Sequence, residues 1–416
     1  MSLTRARCEA LDAADPLAGL RDEFVLPHGM IYLTGNSLGA LPKAASARIT
    51  HMVEEEWGQG LTKSWNDAGW FVLPRTMGNR IAPLIGAGQG EVVVADTTSV
   101  NVFKVVVAAM RMRPGRKTVV IDRTNFPTDN YMVEGAVAAF GTYKLRDLSE
   151  YGSADSAAGF AFDDDVAVVL VSEVDYRTGR RYDMDALTER AHASGALIVW
   201  DLCHSAGVVP IDLNGCDADF AVGCTYKYLN GGPGSPAFIF AATRHHDAVD
   251  QPLPGWYSHA EPFAMEPGYR PTGGIVRFLT STPHVISYGG LAASLDIFDK
   301  VDLAEVRAKS VALTSLFIDL VEERCAQYGL SLASPRAPSD RGSQVSFRHE
   351  NAYAITRALS ARGVQGDFRA PDIARFGLAP LYLRHVDVYD AAEILGDIMS
   401  TGTWQSPEYQ ARLTVT

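Results

Sequence analysis

The chain has 416 residues, of which 47% are hydrophobic and 21% are charged, and its formal net charge is −12 at pH 7. A chain of this length buries a large core and is expected to form two or three domains. The acidic charge argues against nucleic acid or anionic lipid as a partner. No apolar run approaches the roughly 20 residues that a membrane-spanning helix needs.

The N-terminus and the cysteines indicate the cellular compartment. The first ten residues contain charged side chains and no apolar core, so we expect no signal peptide. An odd number of cysteines without a CxxC pair predicts free thiols in a reducing cytoplasm rather than disulfides or a zinc site. The five cysteines are Cys8, Cys203, Cys216, Cys224 and Cys325.

Short β-branched runs alternate with helical patterns through the middle of the chain. The predicted strands are Glu91–Ala95, Thr118–Ile121, Val166–Ser172, Ala196–Asp201, Asp219–Gly223 and Ala237–Phe240. The predicted helices between them are Ser99–Met112, Tyr131–Phe140 and Met184–Ser194. Continuous apolar strands that alternate with helices predict an α/β fold with a mostly parallel sheet covered on both faces. In such sheets, ligands bind beyond the carboxyl ends of the strands.

The pattern changes after a loop region that is rich in Pro and Gly. Long helices are predicted over Leu291–Val301, Leu303–Gly329 and Val388–Ser400, with short strands over Gln344–Phe347 and Leu381–Leu383. The change predicts a smaller α+β domain. We therefore expect a large domain over residues 51–300, a small domain over 301–416, and an N-terminal segment, 1–50, that packs with the small domain.

The strand predicted over Glu91–Ala95 leads into a turn that is rich in hydroxyl groups. Thr97, Thr98 and Ser99 lie where that strand ends and the next helix begins. Backbone N–H groups at a helix N-terminus, together with side-chain hydroxyls, bind anions such as phosphate. The alternative is an ordinary helix cap, for which Ser and Thr are equally suited.

A second polar turn follows the strand Thr118–Ile121. Phe126 offers an aromatic ring that can stack on a planar ligand, and Asp129 places a carboxylate behind it. A plain turn is the other interpretation of this segment.

An aspartate ends the apolar strand Ala196–Asp201. A buried carboxylate is costly unless it is paired, so Asp201 requires a cationic partner. On its own, the residue is equally well explained as a helix cap after the strand. His204, three residues on, is placed to stack on a ligand or to hydrogen-bond it, although a lone histidine is more often structural.

A lysine follows the next apolar strand, Asp219–Gly223. Most lysines are solvated surface residues, but Lys227 lies between Tyr226 and Tyr228 in an apolar, glycine-rich stretch. Desolvation lowers the pKa of a lysine and makes it nucleophilic near neutral pH. The phenol of Tyr226 is placed to donate a hydrogen bond to a phosphate.

The aspartate and the lysine together indicate one kind of chemistry. Asp201 and Lys227 follow neighbouring predicted strands, so both are expected at the same edge of the sheet. Pyridoxal phosphate (PLP) needs such a pair, because a carboxylate keeps its pyridine nitrogen protonated and a lysine forms a Schiff base with its aldehyde. We therefore predict a PLP-dependent enzyme whose phosphate binds at the Thr97–Ser99 turn.

One arginine lies in an apolar stretch near the C-terminus. This residue is Arg375. An arginine in an apolar environment needs an anionic partner. That partner is either a substrate carboxylate or an acidic side chain of the protein itself.

In this order and at this spacing, the segments resemble the kynureninase family of fold-type I PLP enzymes, and the bacterial members in particular. The resemblance covers nearly the whole chain, and its segments are Gly35–Gly39, Phe126–Asp129, Trp200–Gly207, Tyr226–Lys227 and Arg375. It implies a large PLP-binding domain with a mostly parallel, seven-stranded type of sheet, a smaller α+β domain, and a homodimer.

The resemblance also implies roles for individual residues. Catalytic roles fall to Lys227, which holds the cofactor, Asp201, which pairs with the pyridine nitrogen, and Tyr226. Contacts around the cofactor ring fall to His204, Phe126, Asp129 and Ser172. Phosphate contacts fall to Thr97, Thr98, Ser99 and Tyr226 within the subunit, and to Trp256 and Thr282 from a second subunit. Substrate contacts fall to Arg375, at the carboxylate, and Asn36.

The implied reaction is hydrolysis of L-kynurenine to anthranilate and L-alanine by cleavage of the Cβ–Cγ bond, in tryptophan degradation. A further candidate substrate is 3-hydroxykynurenine. Lys227 would carry the Cα proton and Tyr226 would donate a proton.

Other functions share parts of this pattern. A cysteine desulfurase or selenocysteine lyase has the Asp-x-x-His…Lys arrangement, but it needs a nucleophilic cysteine on a mobile C-terminal loop, whereas Cys325 lies in a predicted helix. An aminotransferase follows from the fold alone. A PLP-dependent sensor or a silent binding module is a further alternative, although the sequence contains no recognisable DNA-binding region.

Overall fold

The β-branched runs form a central seven-stranded sheet. The computed structural model describes residues 4–153 and 156–412. The central strands are β1 (Val92–Val94), β2 (Thr118–Ile121), β3 (Lys144–Asp147), β4 (Val166–Ser172), β5 (Leu197–Asp201), β6 (Phe220–Gly223) and β7 (Phe238–Ala241). Across the sheet their order is β1-β7-β6-β5-β4-β2-β3.

All of these strands except β7 run in the same direction. Strand β7 pairs antiparallel with β1 and β6, and the other neighbours pair in parallel. All seven residues of β4 are buried, and each fully buried Val or Leu stabilises the fold by about 1.5–3 kcal/mol. The predicted α/β fold with a mostly parallel sheet is therefore confirmed. We call the side of the sheet where the parallel strands end the carboxyl edge.

Helices cover the sheet and build the rest of the molecule. They are α1 (Arg5–Ala13), α2 (Lys43–His51), α3 (Ser64–Asp67), α4 (Leu73–Ile81), α5 (Thr98–Arg111), α6 (Pro127–Phe140), α7 (Met184–Ala193), α8 (Tyr288–Phe298), α9 (Leu303–Cys325), α10 (Ala352–Ala361), α11 (His385–Thr401) and α12 (Pro407–Gln410). A π-helical segment, Met52–Gly60, continues α2. Among the residues that the structure describes, no helix has the length and apolarity required to cross a bilayer.

A second, antiparallel sheet lies in the C-terminal part. Its strands are β8 (Ser331–Leu332), β9 (Gln344–Arg348), β10 (Asp367–Arg369) and β11 (Ile373–Gly377), in the order β8-β9-β11-β10. Helices α9 and α10 pack on this sheet, and α11 packs on both of these helices. This arrangement agrees with the α+β character expected for the small domain.

The N-terminal segment contacts this C-terminal part. Its short strand Ile31–Tyr32 pairs in parallel with Val364–Gln365. The Asp12 carboxylate accepts a hydrogen bond from the backbone N–H of His385 at 2.6 Å, and α1 packs on α11. These contacts are those expected of a segment that packs with the small domain, and the division near residues 50 and 300 stays a prediction.

Two expectations about strands are wrong. Strand β3 is missing from the predicted set, because its sequence Lys-Leu-Arg-Asp is largely polar, as suits the last strand of a sheet with partly exposed side chains. The strand expected over Leu381–Leu383 is absent, and Leu381 and Tyr382 form a turn. These residues are buried, which shows that an apolar run indicates burial without specifying a strand.

Candidate active site

Polar side chains converge in a pocket at the carboxyl edge. They come from the turns after β1, β2, β4, β5 and β6, from the N-terminal segment, and from β10 and β11. The lining residues are Asn36, Ser37, Thr98, Ser99, Phe126, Thr128, Asp129, Tyr176, Asp201, Cys203, His204, Tyr226, Lys227, Arg369 and Arg375. Ten of the predicted site residues are in this set, so the fold brings together positions that are up to 339 residues apart in the sequence, from Asn36 to Arg375.

A lysine and a histidine form the centre of the pocket. Nζ of Lys227 lies 2.9 Å from Nε2 of His204. Burial, and then the positive charge of Lys227, hold the pKa of His204 well below its usual value. The imidazole is therefore neutral at neutral pH, and its Nε2 accepts a hydrogen bond from the Lys227 ammonium.

The expected direction of the lysine pKa is wrong. Burial on its own would lower the pKa of Lys227, but electrostatic interactions with Cys224, Cys203, Tyr226 and Asp201 outweigh it and raise that pKa above its ordinary value. The sequence predicted that Lys227 is desolvated, but it did not show how many acidic groups surround the amine and raise its pKa.

Asp201 ends strand β5 as predicted and is buried. Its Oδ2 accepts a hydrogen bond from Oγ of Ser172 at 2.8 Å, and its Oδ1 accepts one from the backbone N–H of Cys203 at 2.9 Å. Ser172 therefore contacts the aspartate and is not among the residues that line the pocket. Asp201 itself caps a local turn and also faces the pocket, so both interpretations of its sequence position hold.

A second carboxylate lies beside Asp201. Burial, and then the negative charge of Asp201, raise the pKa of Asp129 well above its usual value. The amide nitrogen of Asn125 donates to Oδ2 of Asp129 at 3.1 Å. Two adjacent buried acids of this kind are stabilised by a shared proton or by a cationic N–H group.

The hydroxyl-rich turn opens helix α5. Oγ1 of Thr97 accepts a hydrogen bond from the backbone N–H of Val100 at 3.4 Å, so the Thr97 side chain acts as the helix cap that we gave as the alternative. Thr98 and Ser99 line the pocket instead. The turn therefore offers side-chain hydroxyls and a helix N-terminus at one place, as an anion site requires.

Two aromatic residues flank the lysine. Nζ of Lys227 lies 6.0 Å from the ring centroid of Phe126 and 5.8 Å from that of Tyr226. The Phe126 ring stands perpendicular to Tyr176 and is 43% exposed, which leaves its surface free for a planar ligand. Burial, and then the charge of Cys224, raise the pKa of Tyr226, so its phenol stays protonated and can donate.

Arg375 has an internal partner. In the register of the small sheet, Asp367 lies directly opposite it, and Nε of Arg375 donates to Oδ1 of Asp367 at 2.7 Å. Burial would raise the pKa of Asp367, but Arg375 and then Arg369 lower it. The salt-bridge interpretation is thus correct, and the guanidinium nevertheless lines the pocket.

Two arginines share that one carboxylate. Nη2 of Arg369 lies 3.1 Å from Oδ2 of Asp367, and Nη2 of Arg375 donates to Oγ of Ser37 at 2.7 Å. The two guanidinium groups and the one carboxylate together leave one net positive charge facing the pocket. A carboxylate would bind there.

Asn36 is almost fully buried at the same side of the pocket. Its Nδ2 donates to Oε1 of Gln344 at 3.0 Å. Its Oδ1 is buried and has no hydrogen-bond partner in residues 4–153 and 156–412. An unpaired buried acceptor is costly, and this oxygen packs so closely on Gly377 that a Cβ atom there would lie 2.1 Å from it.

Trp256 and Thr282 lie outside this pocket, on two segments that pack on each other. The backbone of Gly255 packs so closely on Thr280 that a Cβ atom there would lie 1.7 Å from the Thr280 carbonyl oxygen. Oγ1 of Thr280 donates to the carbonyl of Leu253 at 3.0 Å. We call the segments 253–256 and 278–282 the paired loops.

The sequence reasoning missed five lining residues. They are Ser37, Thr128, Tyr176, Cys203 and Arg369. Tyr176 follows β4, so the rule that ligands bind beyond the carboxyl ends of strands would have found it. Arg369 ends a strand of three residues, and nothing in the local sequence pattern distinguishes it from a surface arginine.

The groups at the carboxyl edge fit PLP. They supply a buried amine, a pair of carboxylates for a protonated pyridine, a hydroxyl-rich helix N-terminus for phosphate, and an aromatic ring beside the amine. Each of these groups is present in the described structure at the positions given above.

Solved structures with the same fold define the class of this protein. The cysteine desulfurase from Thermococcus onnurineus NA1 has a TM-score of 0.75 at 17% sequence identity, over 92% of this chain and 98% of that one. A lysine-to-alanine variant of C-DES, with glycine covalently linked to the PLP cofactor, has a TM-score of 0.77 at 17% identity, over 90% and 98%. The fold is that of the fold-type I PLP enzymes, with a buried lysine at the carboxyl edge.

Sequence similarity narrows the class to one family. The family model described as the kynureninase C-terminal domain matches residues 306–395. The kynureninases of Burkholderia pseudomallei (strain K96243) and Pseudomonas fluorescens are each 51% identical to this chain, over 99% of it and 100% of their own length. The chain therefore belongs to the kynureninase family.

Proposed function

We propose that this protein uses PLP to hydrolyse the Cβ–Cγ bond of L-kynurenine, giving anthranilate and L-alanine in the degradation of tryptophan. Membership of the family supports this function. The observation that carries it is the pocket itself, which combines the amine of Lys227 and the carboxylate of Asp201 with the guanidinium groups of Arg369 and Arg375. An amino-acid substrate needs both sets of groups.

The chain's own groups would hold the cofactor in a defined orientation. Lys227 Nζ is the amine that joins the cofactor aldehyde, and Asp201 with Asp129 would hold the pyridine N–H. Thr98, Ser99 and the Tyr226 phenol would bind the phosphate. When bound, PLP supplies an electron sink for the bonds at the substrate Cα.

Proton transfer then falls to Lys227 and Tyr226. The amine of Lys227 would take the Cα proton and return a proton to the product. Hydrolysis also needs water at the γ-carbonyl and a proton at Cβ. The raised pKa of Tyr226 keeps its phenol protonated, which suits it to donate that proton.

His204 orients the lysine. Its neutral imidazole accepts a hydrogen bond from Lys227 Nζ, which fixes the amine on the side of the pocket that faces Asp201. The substrate carboxylate would bind the arginine pair, with Arg375 as the main contact. The unpaired Oδ1 of Asn36 would accept a hydrogen bond from the substrate.

We also propose that the protein is a cytoplasmic homodimer with shared active sites. Trp256 and Thr282 lie outside the pocket of their own subunit, Thr282 is exposed, and the paired loops hold the two residues close together. A second subunit would use them at its phosphate. The partner surface would then lie next to the exposed aromatic side chain of Phe263, which contacts the ring of Trp256.

The desulfurase alternative is disfavoured by its cysteine. Cys325 is the last residue of helix α9 and is fully buried, and burial raises its pKa to about 11. A thiol in this environment is not a nucleophile on a mobile loop.

Fluorescence of anthranilate tests the proposed function. The PLP-loaded protein is incubated with L-kynurenine and, in a parallel reaction, with 3-hydroxykynurenine, while L-cysteine with sulfide detection tests the desulfurase alternative. We expect anthranilate and L-alanine in equal amounts, and no product from a Lys227→Ala variant. Absence of anthranilate from protein that holds PLP, or release of sulfide instead, would overturn the proposal.

A further inference from the structure

A buried lysine lies just behind the phosphate turn. Lys104, on helix α5, has 0% exposure. Its Nζ lies 2.6 Å from Oδ2 of Asp96 and donates to the carbonyl oxygen of Phe278 at 2.7 Å. Burying an ammonium group costs several kcal/mol before its partners compensate. An apolar side chain would fill the same space at lower cost. We therefore expect Lys104 to fix the two backbone segments that carry its partners.

The first partner of Lys104 controls the start of the phosphate turn. Asp96 directly precedes Thr97 and has a φ of +51°, a left-handed conformation that is unfavourable for a residue other than glycine. The carbonyl oxygen of Asp96 also accepts the N–H of Ala237 at 2.9 Å. The ion pair with Lys104 thus stabilises the backbone conformation from which Thr98 and Ser99 enter the pocket.

The second partner belongs to the paired loops. Phe278 is the first residue of the segment 278–282, and it lies four residues before Thr282. The same segment packs on Gly255, next to Trp256. By holding the Phe278 carbonyl, Lys104 fixes the base of the loops that carry both Trp256 and Thr282.

We propose that Lys104 is a positioning residue that fixes two phosphate-binding elements at once: the Thr97–Ser99 turn of its own subunit and the paired loops that serve the partner's pocket. This inference rests on the proposed function. It implies that loss of the lysine weakens PLP binding from both sides, whereas the substrate-binding arginines, which lie on the small sheet, are unaffected.

The chain offers a matched control. Lys309 is also buried, and its Nζ also lies 2.6 Å from a carboxylate, that of Asp15. This second pair joins helix α9 to the N-terminal segment and lines no part of the active-site pocket. Burial lowers the pKa of both lysines, so Lys104 and Lys309 are comparable in burial and in their ion pairs, and they differ in location and in the Phe278 contact of Lys104.

The experiment compares Lys104→Met with Lys309→Met. The Kd for PLP is measured by absorbance titration of the apoprotein, and KM for L-kynurenine is measured at saturating PLP. We expect Lys104→Met to raise the Kd for PLP at least about tenfold, which corresponds to 1.4 kcal/mol, with KM changed by less than about twofold. We expect Lys309→Met to leave the Kd within about twofold of wild type.

The possible results separate this inference from the proposed function. If the wild-type protein binds PLP and Lys104→Met binds it equally well, the positioning role is wrong and the function stands. Equal weakening in both lysine variants would show a general loss of structure and would also overturn the role. A wild-type protein that does not bind PLP contradicts both.

A second variant covers failure of Lys104→Met to fold. Asp96→Asn keeps the shape of the side chain and its hydrogen bond but removes the charge. We expect it to fold and to raise the Kd for PLP by about three- to tenfold, less than Lys104→Met because the Phe278 contact remains. An unchanged Kd in Asp96→Asn would contradict the positioning role.

Discussion

Two buried aspartates on neighbouring strands have opposite environments. Asp219 lies directly before β6, at the end of the sheet opposite the pocket, and accepts hydrogen bonds from His192, His245 and Arg244 at 2.7–2.9 Å. Burial would raise the pKa of Asp219, but the hydrogen bonds from His192 and His245 lower it. Its negative charge is fully compensated by the chain itself.

Asp201, at the carboxyl edge, accepts its hydrogen bonds from neutral groups instead. The hydroxyl of Ser172 and a backbone N–H donate to it, and the adjacent Asp129 has a raised pKa. The chain leaves this pair of acids with less positive charge than it gives Asp219. A structural acid is paired within the protein, whereas an acid that serves a ligand is left to pair with the ligand.

The largest effect should come from the amine at the carboxyl edge. Lys227→Ala removes the group that joins the cofactor and carries the Cα proton, so we expect kcat/KM to fall by about 10⁴-fold or more. The melting temperature should also fall, because the raised pKa of Lys227 means that its neighbours stabilise the buried ammonium. Anthranilate fluorescence and thermal unfolding measure the two quantities, and more than about 1% residual activity would exclude the role of Lys227.

The next effect concerns the acid that serves the cofactor. Asp201→Asn keeps the shape of the side chain but cannot stabilise a protonated pyridine, and we expect kcat to fall by about 10³-fold. The free energy of unfolding should change little, because the amide oxygen can still accept from the Cys203 N–H and the amide nitrogen can donate to the Ser172 hydroxyl. A variant that keeps wild-type kcat would show that Asp201 is no more than a cap.

Asp219→Asn should have the opposite effect, which is a loss of stability without a loss of activity. It leaves two histidines and an arginine around a neutral side chain, so we expect the free energy of unfolding to fall by about 3 kcal/mol, with kcat of the folded protein unchanged. Because the pKa of Asp219 is lowered in the folded state, its contribution is complete above the unfolded pKa of about 4 and is lost as the pH falls below it. Urea unfolding should therefore show a constant difference from wild type above that pH and a shrinking one below. A large loss of kcat in this variant would contradict the comparison.

The smallest effect should come from Arg375, which pairs with an acid of the protein and is proposed to bind the substrate carboxylate as well. Arg375→Lys keeps the charge beside Asp367 but loses the two-pronged geometry. We expect KM for L-kynurenine to rise about tenfold, with PLP still bound and kcat reduced less. If stability falls while KM stays constant, Arg375 is purely a structural partner of Asp367.

The sequence was sufficient where function depends on position along single strands. Asp201 and Lys227 follow continuous apolar runs, and parallel strands bring such ends together. The turn at Thr97–Ser99 was recognisable because a strand, a hydroxyl cluster and a helix succeed one another there.

The sequence was insufficient where function depends on tertiary neighbours. The raised pKa of Lys227 comes from Cys224 in its own segment and also from Cys203 and Asp201 beyond the neighbouring strand. The Asp367 partner of Arg375 comes from strand pairing in a sheet of very short strands. Arg369 had no local signal for the same reason. The wrong strand at Leu381–Leu383 shows the same limit, because apolar side chains report burial whatever the backbone does.

Chemical trapping of the cofactor tests the central claim most directly. The PLP-loaded protein is treated with sodium borohydride, which fixes the cofactor irreversibly on the lysine that it has joined, and the digested peptides are analysed by mass spectrometry. We predict a single modified peptide, which contains Lys227. Modification of another lysine, such as Lys104 or Lys309, or no modified peptide at all from protein that holds PLP, would contradict it.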